Sequence, residues 1–415
     1  MRPLPLNRCI LENGLRVVHL CDDTTRMVTL NILYGVGARD ESPHRTGLAH
    51  LLEHLMFEGS AHIPSYDRPV QQAGGENNAY TNNDFTNYYI TLPAQNVETA
   101  FWLESDRMTG LQPTAEKLAV QRQVVMEEFK QGDLNQPYGD VNKLLRAMAF
   151  KRHPYRWCTI GKELSHIAGA TLPVVEEFYH RFYCPANAVL AIVGNLSWEE
   201  AQKLARKWFG PLPGGEPAFH NLPAEPRQRV QRRMTVERQV PANALYMAFH
   251  MSSRQEPDYY TFDLISDLLA NGYSGRLMQH LVKKQHLFDS IDAYISDSVD
   301  GGLLRINGRL APHTSWHTAE EAVWNELAQL ATGPLTRREM DKVKNRFESE
   351  QIFSRINGQS LAASLALHEW MGDARNIEQE VEKYRNVTTD DVRRVAAHAL
   401  VPAHSCVLVY KKKEE

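Results

Sequence analysis

An α+β protein of two similar domains, each a largely antiparallel sheet with helices packed on one face, is what the sequence predicts. Three observations carry that expectation. At 415 residues the chain exceeds what one ordinary core organises. A repeat runs through it: Ala100-Phe-Trp102-Leu-Glu104 returns as Ala322-Val-Trp324-Asn-Glu326, and helices ending at Glu128 and Glu350 keep the same spacing of 222 positions. Further on, Thr171 through Cys184-Pro-Ala-Asn187 resembles Thr388 through Val401-Pro-Ala-His404. Finally, each half opens on strand-like alternation, Val28-Thr-Leu30-Asn-Ile32 and Leu245-Tyr-Met247-Ala-Phe249, and then turns helical. Between the halves, Gly210-Pro-Leu-Pro-Gly-Gly-Glu-Pro217 with Pro223 and Pro226 is too rich in breakers to belong to a core. The expected division is therefore 1–210, a linker over 211–228, and 229–415.

Along the chain, Met1 to Leu11 carries no sustained apolar run, so neither a secretory signal nor a membrane anchor is read there. Gly47 to Phe57 lacks proline and is rich in helix formers, which predicts a helix. That helix carries His50-Leu-Leu-Glu53-His54. Two imidazoles four residues apart lie on one helical face, and neutral imidazoles so placed can share one Zn²⁺, leaving Glu53 to handle a proton. The order His-x-x-Glu-His reads as an inverzincin metallopeptidase signature. With 17 histidines in the chain the same pattern also arises by chance, so further residues must decide. Gly74-Gly75 then marks a turn into the strand-like Asn78-Ala79-Tyr80-Thr81, an ordinary edge strand on its own terms. The helical stretch Ala115 to Lys130 presents adjacent Glu127 and Glu128; neighbours on a helix point about 100° apart, so only one of them can face a metal.

Composition narrows the classes. A formal net charge of -4 with 23 % charged residues advertises no nucleic-acid surface, and the runs Arg227–Arg233 and Lys411–Lys413 read as solvated surface or tail. Five scattered cysteines without a Cys-x-x-Cys pair argue against a disulfide framework and against a thiolate zinc site. A reducing cytoplasm is the expected compartment.

Four ordered segments resemble the pitrilysin-type zinc peptidases, the family of insulin-degrading enzyme and the mitochondrial processing peptidase. They are His50 to His54 running into Leu-Met-Phe-Glu-Gly-Ser60; Gly74-Gly75 with Asn78 to Thr81; Val124-Val-Met-Glu127-Glu128; and Tyr183-Cys-Pro-Ala-Asn187 leading into Ile192-Val-Gly-Asn195. The resemblance implies zinc held by His50, His54 and Glu128, with Glu53 as the base acting on a zinc-activated water in hydrolysis of unfolded peptides. It also implies that the edge around Asn78, Ala79 and Tyr80 pairs with the substrate backbone. Three positions depart from the family pattern. Gln121 stands where a glutamate seven residues before the ligand glutamate often helps to orient the site; it can hydrogen-bond but adds no charge. In the second half, Val282 and Asp289 occupy the places of an arginine and a tyrosine that hold substrate and oxyanion, and Arg276 and Tyr294 fall at the wrong spacing to replace them. The expectation is a zinc endopeptidase subunit of a heterodimer whose related partner supplies the arginine and tyrosine. A homodimer is the alternative arrangement, and a non-catalytic peptide-binding subunit that retains zinc is the alternative function.

Overall fold

The computed structural model describes residues 4–413. Its first unit comprises the chain up to Lys130, Trp157–Leu222 and Gln351–Glu380. A six-stranded sheet in the order β1-β2-β6-β3-β5-β4 forms its centre, from β1 (Leu6–Ile10), β2 (Arg16–Cys21), β3 (Met27–Tyr34), β4 (Glu76–Thr81), β5 (Thr86–Pro93) and β6 (Ala188–Gly194). Every pair is antiparallel except β2 and β6. The main core lies on one face, where Leu30, Ile32, Tyr88, Leu190 and Ile192 meet helices that include Leu48–Leu55 and Val97–Gly110.

The second unit comprises Gln131–Arg156, Pro223–Glu350 and the chain from Val381 onward. Its sheet runs β7-β11-β8-β10-β9, from β7 (Arg232–Arg238), β8 (Ala244–His250), β9 (Phe288–Ile295), β10 (Leu303–Leu310) and β11 (Ser405–Lys412). Here too a single pair, β7 and β11, is parallel. The order reproduces that of the first sheet without its β1, so the repeat read in the sequence is a repeat of topology. Arg276 is committed to structure, its guanidinium bonding Glu339 (2.8 Å) and the Pro334 carbonyl (2.8 Å).

The α+β class with largely antiparallel sheets is as the sequence predicts, and the arrangement adds to it in one respect. Helices cover both faces of each sheet. Helix Gly358–Trp370 packs Leu361, Ala362 and Leu365 on Val18, Leu33 and Val189 of the first sheet, and helix Val141–Ala149 packs Leu145 and Met148 on Ala248 and Leu408 of the second. Strands such as Ala188–Gly194 are apolar on both sides and would otherwise leave one of them wet. The units are consequently discontinuous: 131–156 belongs with the second sheet and 351–380 with the first, across the contiguous halves 1–210 and 229–415 expected from the sequence. No helix among the described residues is long and apolar enough to cross a membrane.

His19 on β2 gives the first unit a measurable dependence on acid. The ring is fully buried, with Nε2 2.8 Å from the Leu196 carbonyl and Nδ1 3.3 Å from the Asn7 side-chain amide. Nε2–H donates to the carbonyl and Nδ1 accepts from the amide, so the neutral ring is satisfied. Burial, the dominant cause, lowers its pKa below the ordinary 6.5. The unfolded chain therefore binds a proton that the folded chain refuses, and stability present above the unfolded pKa is lost as pH falls below about 6.5. His19→Gln is expected to flatten the slope of unfolding free energy against pH below about 6.5, measured by denaturant titration; an unchanged slope would refute the assignment.

Candidate metal centre

The His-x-x-Glu-His segment is helical over Leu48–Leu55, with Leu48, Ala49, Leu51, Leu52 and Leu55 buried in the core. Its start is fixed twice. Gly47 has φ +85°, and a Cβ there would meet the Ile160 carbonyl at 2.9 Å, so a side chain is excluded. The carboxylate of Glu41 accepts from the backbone N–H of Gly47 (2.9 Å) and of Ala49 (2.8 Å), satisfying donors that a helix start leaves open. Sequence inspection missed Glu41, because nothing in its local context distinguishes it from a surface glutamate.

With that helix anchored, His50 and His54 stand one turn apart with ring centroids 4.8 Å apart and planes at 85°. The helix Ala115–Phe129, capped by the Thr114 hydroxyl, brings Glu128 to them. Its two carboxylate oxygens lie 3.7 Å from His50 Nε2 and 3.5 Å from His54 Nε2. Candidate ligand atoms of these three residues all fall within 4.8 Å of one another. Glu127 is turned to Lys130, with which it pairs at 2.6 Å. Both glutamates are exposed, but the structure brings only Glu128 to the imidazoles and pairs Glu127 with Lys130.

The donor set suits a borderline divalent cation such as zinc: two imidazole nitrogens and one carboxylate oxygen come together. Burial and the neighbouring His54 push the His50 pKa down to about 4, so this ring is neutral in ordinary buffers, the form that ligates. His50 Nδ1 is buried without a hydrogen-bond partner among the described residues, whereas His54 Nδ1 lies 3.1 Å from the Gln121 side-chain oxygen. Glu53 is 8 % exposed and accepts a hydrogen bond from the Thr81 hydroxyl at 2.5 Å. Its burial raises the carboxyl pKa, and the Thr81 hydrogen bond opposes that rise.

Glu53 and His50 line a cleft with Ala79, Tyr80, Thr81 and Ile160. Strand β4 borders it as the outermost strand, paired among the described residues to β5 alone. Along β4 the half-buried Asn77, Ala79 and Thr81 alternate with exposed Glu76, Asn78 and Tyr80. The Asn78 side-chain oxygen accepts from the Ala79 N–H at 2.8 Å. In the second unit, Val282 is half-buried in the helical turn Met278–Lys284, and Asp289 is exposed near the start of the edge strand β9.

Residues 16–162 match the insulinase family, peptidase family M16, and residues 169–347 match the M16 inactive domain. The chain belongs to peptidase family M16, the pitrilysin type. It is 26 % identical over 392 residues to the zinc protease PqqE of Helicobacter pylori, covering 93 % of this chain and 88 % of that one. Among solved structures, a protease from Helicobacter pylori superposes with a TM-score of 0.91 at 25 % identity, over 98 % of this chain and 100 % of the other. The periplasmic protease PqqL of Escherichia coli shares the fold, with a TM-score of 0.78 at 18 % identity over 98 % of this chain but 48 % of PqqL.

Proposed function

We propose that this chain is a zinc-dependent endopeptidase acting on unfolded peptides, and that it works as the zinc-bearing subunit of a heterodimer. The convergence of His50, His54 and Glu128 beside a buried, oriented Glu53 is the observation that carries the reading. His50 Nε2, His54 Nε2 and a Glu128 oxygen would hold the metal. Zinc, when bound, supplies Lewis acidity and a water acidic enough to lose its proton near neutral pH. Glu53, held by Thr81, takes that proton at its carboxylate and returns it to the leaving amine. A peptide laid along β4 would exchange the Asn78 side chain for its own carbonyl at the Ala79 N–H, so that backbone shape rather than side-chain identity selects the substrate.

The test is metal content. Glu128→Gln is expected to weaken zinc binding by far more than Glu127→Gln, because only Glu128 faces the imidazoles. Chelator competition on the purified variants measures it, and equal zinc content in the two would sink the ligand set. A second reading, a peptide-binding subunit that retains zinc without turnover, is favoured by Val282 and Asp289, neither of which can donate to an oxyanion.

A further inference from the structure

Gln121 does more than replace a carboxylate, because its amide is held between two partners whose hydrogen-bonding roles are not interchangeable. Its oxygen lies 3.1 Å from His54 Nδ1, and its nitrogen is in close hydrogen-bond contact with the side-chain carboxylate of Glu58. A carboxylate only accepts, so the amide NH₂ must face Glu58 and the amide oxygen must face His54. That oxygen only accepts as well, so His54 Nδ1 carries the proton. In the neutral ring the lone pair is then on His54 Nε2, which lies 3.5 Å from a Glu128 oxygen. Reversing the amide would set its oxygen against the Glu58 carboxylate and remove a hydrogen bond at each end.

Glu58 is held where this requires. It follows the histidine helix, four residues beyond His54, and its N–H bonds the Leu55 carbonyl at 3.1 Å. Gly59, at φ +94°, then turns the chain where a Cβ would clash with the Ile63 carbonyl. Lys117, one turn before Gln121 on the same helix, donates from Nζ to the Glu58 backbone carbonyl at 2.7 Å. The loop and the glutamate helix are thereby fastened together at Glu58, and the side chain is delivered to Gln121.

We propose that Glu58 is a positioning residue for the metal centre, and that it supplies through Gln121 the negative charge that position 121 lacks. This rests on the reading of His50, His54 and Glu128 as zinc ligands. The Glu58 carboxylate polarises the Gln121 amide, which strengthens the hydrogen bond at His54 Nδ1 and fixes the ring with Nε2 turned to the metal position. Position 121 thus does not need a charge of its own, and a second carboxylate there would collide electrostatically with Glu58.

Zinc affinity by chelator competition tests the charge, and nitrogen chemical shifts of histidine-labelled, metal-free protein test the tautomer. Glu58→Gln keeps an acceptor for the Gln121 amide but removes the charge, and is expected to lower zinc affinity by about 10-fold or more, the usual weight of such an outer partner. The reciprocal pair Glu58→Gln with Gln121→Glu is expected to recover wild-type affinity, although Gln121→Glu alone does not, which is non-additivity of the kind contacting residues show. In the neutral ring of wild-type His54 the proton should sit on Nδ1 rather than on Nε2. Unchanged affinity in Glu58→Gln, additive effects across the pair, or a neutral His54 ring with its proton on Nε2 instead of Nδ1 would each overturn the proposal. Should the wild-type chain bind no zinc, or Glu128→Gln bind as tightly as wild type, the ligand assignment itself fails, and the relay is then decided by the His54 tautomer alone.

Discussion

Glu53→Gln is expected to keep its zinc and to lose about 10²- to 10⁴-fold in peptide turnover, the contribution of a positioned proton-transfer group. The substitution is nearly isosteric, and its side-chain oxygen can still accept from the Thr81 hydroxyl, so the local packing that leaves Glu53 only 8 % exposed is preserved. Glu53 contributes no atom to the group of His50, His54 and Glu128, which is why metal content should not follow activity down. What the amide cannot do is take a proton and return it. Turnover of a fluorogenic peptide, with zinc measured on the same sample, checks the expectation. Undiminished hydrolysis by metal-loaded Glu53→Gln would remove Glu53 from the mechanism, whereas parallel loss of zinc and activity would recast it as a structural support of the centre. Thr81→Val offers a graded companion: it deletes the hydroxyl that orients Glu53 and should cost less than removing the base itself.

The parts of this site that were legible in the sequence are those written in local spacing. His50 and His54 are four residues apart on a proline-free run, and a helix turns that separation into proximity whatever the rest of the fold does. Choosing between Glu127 and Glu128 required more than their own helix, since spacing states only that they diverge; the orientation of Ala115–Phe129 against Leu48–Leu55 brings one of them to the imidazoles. Glu41 and Glu58 were not legible at all. Their roles are contacts between a loop and a helix end, or between segments 63 positions apart, and such contacts leave no period in the sequence. The exchanged segments belong to the same class. Amphipathic patterning in 141–149 states that one face is buried, but not which sheet receives it. The repeat was legible because each copy needs the same apolar alternation to build the same strand order, while the extra strand β1 of the first unit has no counterpart in the second sheet.

A related chain carrying arginine and tyrosine at the positions matching Val282 and Asp289 is expected to activate this one strongly, and the purified chain alone to show weak or no peptidase activity. An amide hydrolysis needs donors for the oxygen that becomes negatively charged, and loss of a single such donor typically costs about 10² to 10³ in turnover. A valine side chain offers no hydrogen bond, and an aspartate would repel the developing charge. A second copy of this chain would bring the same two residues and so would not supply what is missing, whereas a diverged homologue could. The decisive measurement compares three samples: the chain alone, the chain with such a homologue, and a Val282→Arg, Asp289→Tyr double variant alone. Activation by the homologue supports the divided site. Activity gained by the double variant without any homologue would show that two copies of this chain can face each other productively and that only the donors were lacking. Full activity of the unmodified chain, unchanged when the homologue is added, would refute the divided-site proposal and require oxyanion donors from elsewhere in the chain.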